Sequence, residues 1–104
     1  YTTNTIETGR GSPHVIGYIG NGSSVTEVAA LRNKVGSGQM IWTPGVNLAV
    51  GSGTMGQRYG HPKEAVLAGS DSIIVGSGIH GVDDPIAAAK EYAEVSFQAL
   101  VMRD

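Results

Sequence analysis

The first residues that could do chemistry follow the predicted strand at 39–43. Pro44 stands where this strand ends, and its rigid ring offers a flat surface to a ligand. Gln57 and Tyr59 close the Gly-rich segment that comes next, and their spacing places both on the same side of an extended chain. An amide and a phenol on one side can both donate hydrogen bonds to an oxyanion. An ordinary strand-ending turn and exposed loop is the alternative interpretation.

A second group of candidate residues, Gly76, Ser77 and Gly78, follows the apolar run at 73–75. Their backbone N–H groups can form a nest for an anion. A Gly-x-Gly motif is weak by itself, but its order after the first group matches the barrels that bind phosphate beyond their last two strands. The two groups together predict a site for the phosphate of a small molecule.

The other polar residues favour structural roles. The three histidines have no metal-ligand spacing with one another or with a carboxylate: His14, His61 and His80. We interpret His61 as a helix-start residue and His80 as a loop residue near Gly76. Asp83 and Asp84 precede Pro85 and are typical of a helix cap. No catalytic triad, Walker loop or Rossmann pattern occurs, so neither a metal nor an organic cofactor is predicted.

Composition narrows the class of protein. The chain has 104 residues, of which 40% are hydrophobic, and this favours one domain spanning 1–104. Its net charge is -2, and no cluster of lysine or arginine is present, which argues against nucleic-acid and anionic-membrane partners. There is no cysteine and no apolar stretch of about 20 residues. We therefore expect a soluble protein of the cytoplasm.

Three apolar runs, each followed by a helical pattern, must position these residues. The predicted strands are 15–19, 39–43 and 73–75, and the predicted helices are 24–35, 62–68 and one that starts at 84–85. The run at 15–19 is nearly continuous, which predicts a strand buried on both faces. Residues 1–12 resemble the tail of a preceding element, without a cap or a strand.

Local signals define the helices further. Ser24 and Glu27 have capping-box spacing, so each is expected to bond the backbone of the other. The last helix is predicted to bury one stripe of five residues: Ile86, Ala89, Ala93, Phe97 and Leu100.

The predicted fold class is α/β, because three consecutive βα units imply right-handed crossovers and a parallel sheet. The units suit a doubly wound sheet or part of a (β/α)8 TIM barrel. A whole barrel takes about 250 residues, so three units would form a partial barrel.

The order of the motifs at 43–46, 56–59 and 70–79 resembles the C-terminal part of orotidine 5'-phosphate decarboxylase, particularly its eukaryotic branch. The resemblance extends from residue 15 to the last helix. It implies a dimeric (β/α)8 barrel that converts orotidine monophosphate to uridine monophosphate without a cofactor. This chain would supply the last three βα units.

The resemblance also implies roles for individual residues. Pro44 would lie beside the pyrimidine, and Gln57 and Tyr59 would close over the phosphate. The backbone from Gly76 to Gly78 would cup the phosphate from below.

Two departures from the family pattern limit the expected function. The family usually has an arginine at the position of Ser77, and a hydroxyl cannot replace its charged, bidentate contact. The family's catalytic Asp-x-Lys-x-x-Asp segment does not occur in these 104 residues. The chain is therefore expected to contain no catalytic residue and to be inactive alone.

Two functional hypotheses follow. The first is the phosphate-binding and pyrimidine-binding part of the decarboxylase, which acts with a complementary N-terminal half-barrel. The second is a non-catalytic half-barrel that self-assembles and binds phosphate weakly or not at all. A different phosphate-binding barrel enzyme is a third possibility. Because a three-stranded parallel slab has open edges, either of the first two predicts a homo-oligomer or a partner half.

Overall fold

A parallel sheet in the order β1-β2-β3 organises the chain, and the computed structural model describes residues 3–49 and 59–103. The elements in these ranges, in chain order, are α1 (Thr3–Arg10), β1 (Gly17–Ile19), α2 (Val25–Val35), β2 (Met40–Thr43), α3 (Pro62–Ala68), β3 (Ser72–Ile73), α4 (Ser77–His80) and α5 (Pro85–Arg103). The three predicted βα units and the predicted parallel sheet are confirmed. The first and last strands are shorter than expected, since they span residues 17–19 and 72–73 where 15–19 and 73–75 were predicted.

The core lies between the sheet and the helices that follow its strands. Tyr18 pairs with Ile41 in the parallel register of β1 and β2, and both side chains are buried. Leu31 and Val35 of α2 pack against them. Because side chains alternate along a strand, the neighbours of Tyr18 in β1 and of Ile41 in β2 lie on the opposite face of the sheet.

Side chains on that opposite face are exposed, which contradicts the predicted burial of the run at 15–19 on both faces. Ile19 is 51% exposed, so β1 is buried on one face only, and Ile16, which precedes the strand, is 71% exposed. Met40, Trp42 and Ile74 are exposed as well. The physical reason is that the described helices pack against the face that carries Tyr18. The outcome is an exposed apolar surface, which we call the open face and define by Ile19, Met40, Trp42 and Ile74.

The predicted start of α2 is half right. Ser24 is the N-cap, and its side chain accepts a hydrogen bond from the Glu27 amide at 3.2 Å. The Glu27 carboxylate does not complete a capping box with Ser24; it accepts from Asn21 Nδ2 at 2.8 Å. The loop after β1 is therefore tied to the first turn of the helix.

The other two predicted helix starts are confirmed. His61 caps α3, and its Nδ1 accepts from the Lys63 amide at 3.1 Å. Asp84 Oδ1 accepts from the Ala87 amide at 3.1 Å at the start of α5. Gly69 ends α3 with a φ of 133°, a conformation that side chains rarely adopt.

The predicted buried stripe of α5 is wrong. Ile86 and Phe97 are 69% and 63% exposed, whereas Tyr92 and Ala99 are buried. The helix turns this second face toward α3, which it contacts extensively. On the side of the predicted stripe a cavity of about 510 Å³ separates β3 from α5, and its lining includes Ala93, Phe97 and Leu100.

In the first dozen residues, where the sequence predicted neither a cap nor a strand, residues 3–10 form the helix α1. Ile6 is 3% exposed within the core, and its carbonyl accepts a hydrogen bond from the Tyr18 hydroxyl at 2.9 Å. A single apolar side chain among polar ones is a weak helical signal, so this element is decided by its tertiary contact.

Candidate functional site

The candidate residues that the structure describes lie at one edge of the sheet, because parallel strands all end on the same side. Pro44 follows β2 directly and is exposed. Its carbonyl accepts a hydrogen bond from the Gly22 amide, in the loop after β1, at 2.9 Å. A Cβ on Gly22 would lie 2.5 Å from the same carbonyl oxygen, so the two loops approach at a distance that only glycine permits.

The Gly-rich segment after β2 is closed at its base by backbone pairing. Gly60 donates to the Gly45 carbonyl at 2.8 Å, and Asn47 donates to the Gly60 carbonyl at 2.8 Å. Tyr59 directly precedes Gly60 and is half-buried, so this pairing holds it at the same edge as Pro44. Gln57 lies outside the described residues.

The third group forms the start of the short helix α4. Gly76 is its N-cap, and its carbonyl accepts from the amides of Ile79 and His80 at 3.0 and 3.1 Å. The first-turn amides of Ser77 and Gly78 have no carbonyl partner within a helix, as at every helix start. These two donors lie in the turn that follows β3.

Tyr92 is a residue of this region that sequence reasoning missed. Its side chain is 4% exposed, and its hydroxyl oxygen accepts a hydrogen bond from the Leu48 amide at 3.0 Å. A Cβ on Gly78 would lie 2.3 Å from the same hydroxyl. The available signal was the burial preference of an aromatic ring with a polar tip, but the predicted stripe of α5 left Tyr92 out.

The structure thus brings Pro44, Tyr59 and the turn from Gly76 to Gly78 to one edge of the sheet. Ser77 and His80 are exposed there. The ring of His80 lies near Gly76, since its Nε2 is 3.8 Å from the point that a Cβ on Gly76 would occupy. His80 therefore lies beside the glycine turn as expected, but it is the last residue of the helix α4 and not a loop residue.

The chemistry available at this edge is hydrogen bonding from neutral donors: backbone amides, a hydroxyl and a phenol. Over residues 3–49 and 59–103, no three His, Asp or Glu side chains converge as metal ligands would. None of the helices in these ranges is long and apolar enough to cross a membrane. The described donors suit a ligand that accepts hydrogen bonds.

Comparison with known proteins identifies the family of this chain. A family model described as Orotidine 5'-phosphate decarboxylase / HUMPS family matches residues 1–92. An orotidine 5'-phosphate decarboxylase of Penicillium chrysogenum is 34% identical over 104 residues, covering 99% of this chain and 37% of the relative. The chain thus spans little more than a third of that relative's length.

Solved structures agree with the sequence match. Orotidine 5'-phosphate decarboxylase from Pyrococcus horikoshii OT3 superposes with a TM-score of 0.60 and 30% identity, over 79% of this chain and 35% of that one. Orotidine 5'-monophosphate decarboxylase from Sulfolobus solfataricus is 22% identical and has a TM-score of 0.64, over 82% and 36% of the two chains, and supports the fold alone. The three βα units are therefore part of a TIM barrel, and the chain belongs to the orotidine 5'-phosphate decarboxylase / HUMPS family.

Proposed function

We propose that this chain is the phosphate-binding and pyrimidine-binding C-terminal part of an orotidine 5'-phosphate decarboxylase. The carboxy-lyase converts orotidine monophosphate to uridine monophosphate and carbon dioxide in pyrimidine synthesis. The observation that supports this proposal is the common location of Pro44, Tyr59 and the Gly76 turn in a chain of this family. Residues 1–104 are then one portion of a single barrel domain.

Each site residue has a role in this proposal. Pro44 contacts the pyrimidine ring, while Gln57 and Tyr59 donate to the phosphate. The amides of the turn from Gly76 to Gly78 cup the phosphate oxygens, as helix starts do for anions. Ser77 adds a hydroxyl but no charge. Orotidine or uridine monophosphate is therefore held by neutral donors.

The proposal assigns no catalytic residue to this chain. Decarboxylation needs a group that acts electrostatically on the leaving carboxylate. It also needs a group that delivers a proton to the carbon from which the carboxylate leaves. The sequence has no Asp-x-Lys-x-x-Asp segment to supply them. We propose that the chain is inactive alone, that it works in the cytoplasm, and that it associates with a complementary N-terminal half-barrel or with copies of itself.

A second candidate function is a non-catalytic half-barrel that self-assembles. The exposed apolar residues of the open face favour it, since Trp42 is 41% exposed and Ile19 is 51% exposed. Ser77 favours it too, because phosphate binding without the family arginine is weaker. The two candidates differ in whether uridine monophosphate binds.

Calorimetric titration of the purified chain with uridine monophosphate, with uridine as the control ligand, separates the candidates. A retained phosphate site gives saturable binding of the nucleotide that is tighter than binding of the nucleoside. Equal or absent binding supports the assembly module. In a second experiment, adding an N-terminal half-barrel of a relative should restore decarboxylation. A soluble, folded complex without turnover at any ratio would contradict the proposed activity.

A further inference from the structure

We propose that Tyr92 is a positioning residue that sets the distance between the segments that follow β2 and β3, and thereby the geometry of the proposed phosphate site. This inference rests on the proposed function and adds a residue to it. Tyr92 is on α5, remote in sequence from both strand ends, and is 4% exposed. Its role is mechanical support, since its ring lies beneath the glycine turn.

The first contact is with the segment after β2. The Leu48 amide donates to the Tyr92 hydroxyl at 3.0 Å. Leu48 lies one residue beyond Asn47, whose amide pairs with Gly60 at 2.8 Å. The Tyr92 hydroxyl therefore anchors the short segment of Asn47 and Leu48. The same segment pairs with Gly60, the residue that follows Tyr59.

The second contact is with the turn after β3. Gly78 has no side chain because the Tyr92 hydroxyl occupies that space: a Cβ would lie 2.3 Å from the oxygen and 3.0 Å from the ring carbon that bears it. Gly78 does not have a positive φ, so the glycine is required by close approach and not by backbone strain. One phenol thus contacts both segments that are proposed to meet the phosphate.

Tyr92→Phe tests the inference, because it removes the hydroxyl and keeps the ring. Tyr18→Phe is the matched control: Tyr18 is 5% exposed and its hydroxyl donates to Ile6 at 2.9 Å in the core. In the ligand-free protein, we expect Tyr92→Phe to speed hydrogen exchange of the Leu48 amide and to shift the amide resonances of Ser77 and Gly78. Tyr18→Phe should leave these three signals unchanged.

In the ligand arm, Tyr92→Phe should weaken uridine monophosphate binding about three- to tenfold, the range for loss of one hydrogen bond, and leave uridine binding unchanged. Tyr18→Phe should not change the ratio of the two affinities, even where it lowers the melting temperature. If Tyr92→Phe does not fold, Gly78→Ala disturbs the same contact from the turn, and the Leu48 exchange rate remains the readout.

Unchanged exchange at Leu48 with unchanged resonances at the turn would overturn the positioning role. Altered signals with an unaltered nucleotide affinity would overturn its link to the phosphate site. Failure of the wild-type chain to bind uridine monophosphate contradicts the proposed function, and the ligand-free arm then decides the positioning role by itself.

Discussion

Arg103, the last residue of α5, donates from Nη2 to Asp71 Oδ1 at 2.9 Å. The other carboxylate oxygen of Asp71 pairs with Arg32 of α2 and accepts from the Ile41 amide of β2 at 2.9 Å. Arg103 also donates to the Val66 carbonyl at the end of α3 at 2.8 Å. One carboxylate, at the sheet edge opposite the candidate site, therefore joins β2 to α2 and α5, and Arg103 extends this network to α3.

Replacing this carboxylate tests its contribution to stability. We expect Asp71→Asn to lower the free energy of unfolding by about 1–3 kcal/mol, because two arginines and an amide lose a charged acceptor. The side chain is 25% exposed, which keeps the expected loss below that of a fully buried pair. Urea unfolding measures it. Asp83→Asn, at an exposed carboxylate, is the control, and equal losses in both variants would contradict the role of Asp71.

The same carboxylate predicts a pH dependence of stability. Partial burial alone would raise the pKa of Asp71, but the Ile41 amide, Arg103 and Arg32 outweigh it and hold that pKa below its ordinary value of 3.8. A depressed pKa in the folded state stabilises the fold above the ordinary value, and the stabilisation is lost as pH falls through the lowered one. Melting temperatures taken from about pH 6 to pH 2.5 should fall more steeply for wild type than for Asp71→Asn. Parallel curves would refute this prediction.

A side chain at Gly78 should be destabilising. Its Cβ would lie 2.3 Å from the Tyr92 hydroxyl, and we expect Gly78→Ala to cost about 1–3 kcal/mol by overpacking. Gly38→Ala is the control, because nothing lies within 4 Å of its Cβ position. Removing the hydroxyl in a Gly78→Ala/Tyr92→Phe double variant should recover part of the loss, as contacting residues do not add independently. Strict additivity in thermal unfolding would show that the two residues do not compete for this space.

An arginine at Ser77 should strengthen the proposed phosphate contact. A charge-assisted contact of ~1.5–3 kcal/mol predicts about ten- to hundredfold tighter binding of uridine monophosphate by Ser77→Arg. Salt should weaken this gain, since the new term is electrostatic. Ser37→Arg adds the same charge in the connection that enters β2, at the opposite edge, and controls for net charge. A similar gain from both variants would argue against a phosphate site at the Gly76 turn.

The open face predicts that the chain associates. Trp42 is the only tryptophan in the sequence, and it is 41% exposed beside Ile19. Its fluorescence should shift to shorter wavelength as the protein concentration or the concentration of a partner half rises. Trp42→Lys should raise the dissociation constant of the assembly about thirtyfold, the effect of a central aromatic contact of ~2 kcal/mol. Leu67→Lys, at an exposed position of α3, should leave it unchanged, and an equal effect would place the interface elsewhere.

Several elements of the fold could be predicted because their signals are local. Ser24, His61 and Asp84 cap their helices as expected, since a cap depends on residues within one turn. Gly69 ends α3 because the required φ of 133° is a property of the single residue. The order of these signals along the chain was sufficient to predict the parallel βα architecture. The common location of Pro44, Tyr59 and the Gly76 turn followed from the same order, because parallel strand ends share an edge.

What the sequence alone determined is the succession of strands, caps and glycine turns, since each follows from neighbouring residues. Only the tertiary structure decided which face of α5 is buried, because Ala93 and Tyr92 lie on one helix and the choice depends on its packing against α3. It also decided that Gly78 meets the Tyr92 hydroxyl and that Asp71 meets Arg32 and Arg103. These contacts join residues up to 39 positions apart, as in the pair of Arg32 and Asp71, and no local pattern encodes such distances.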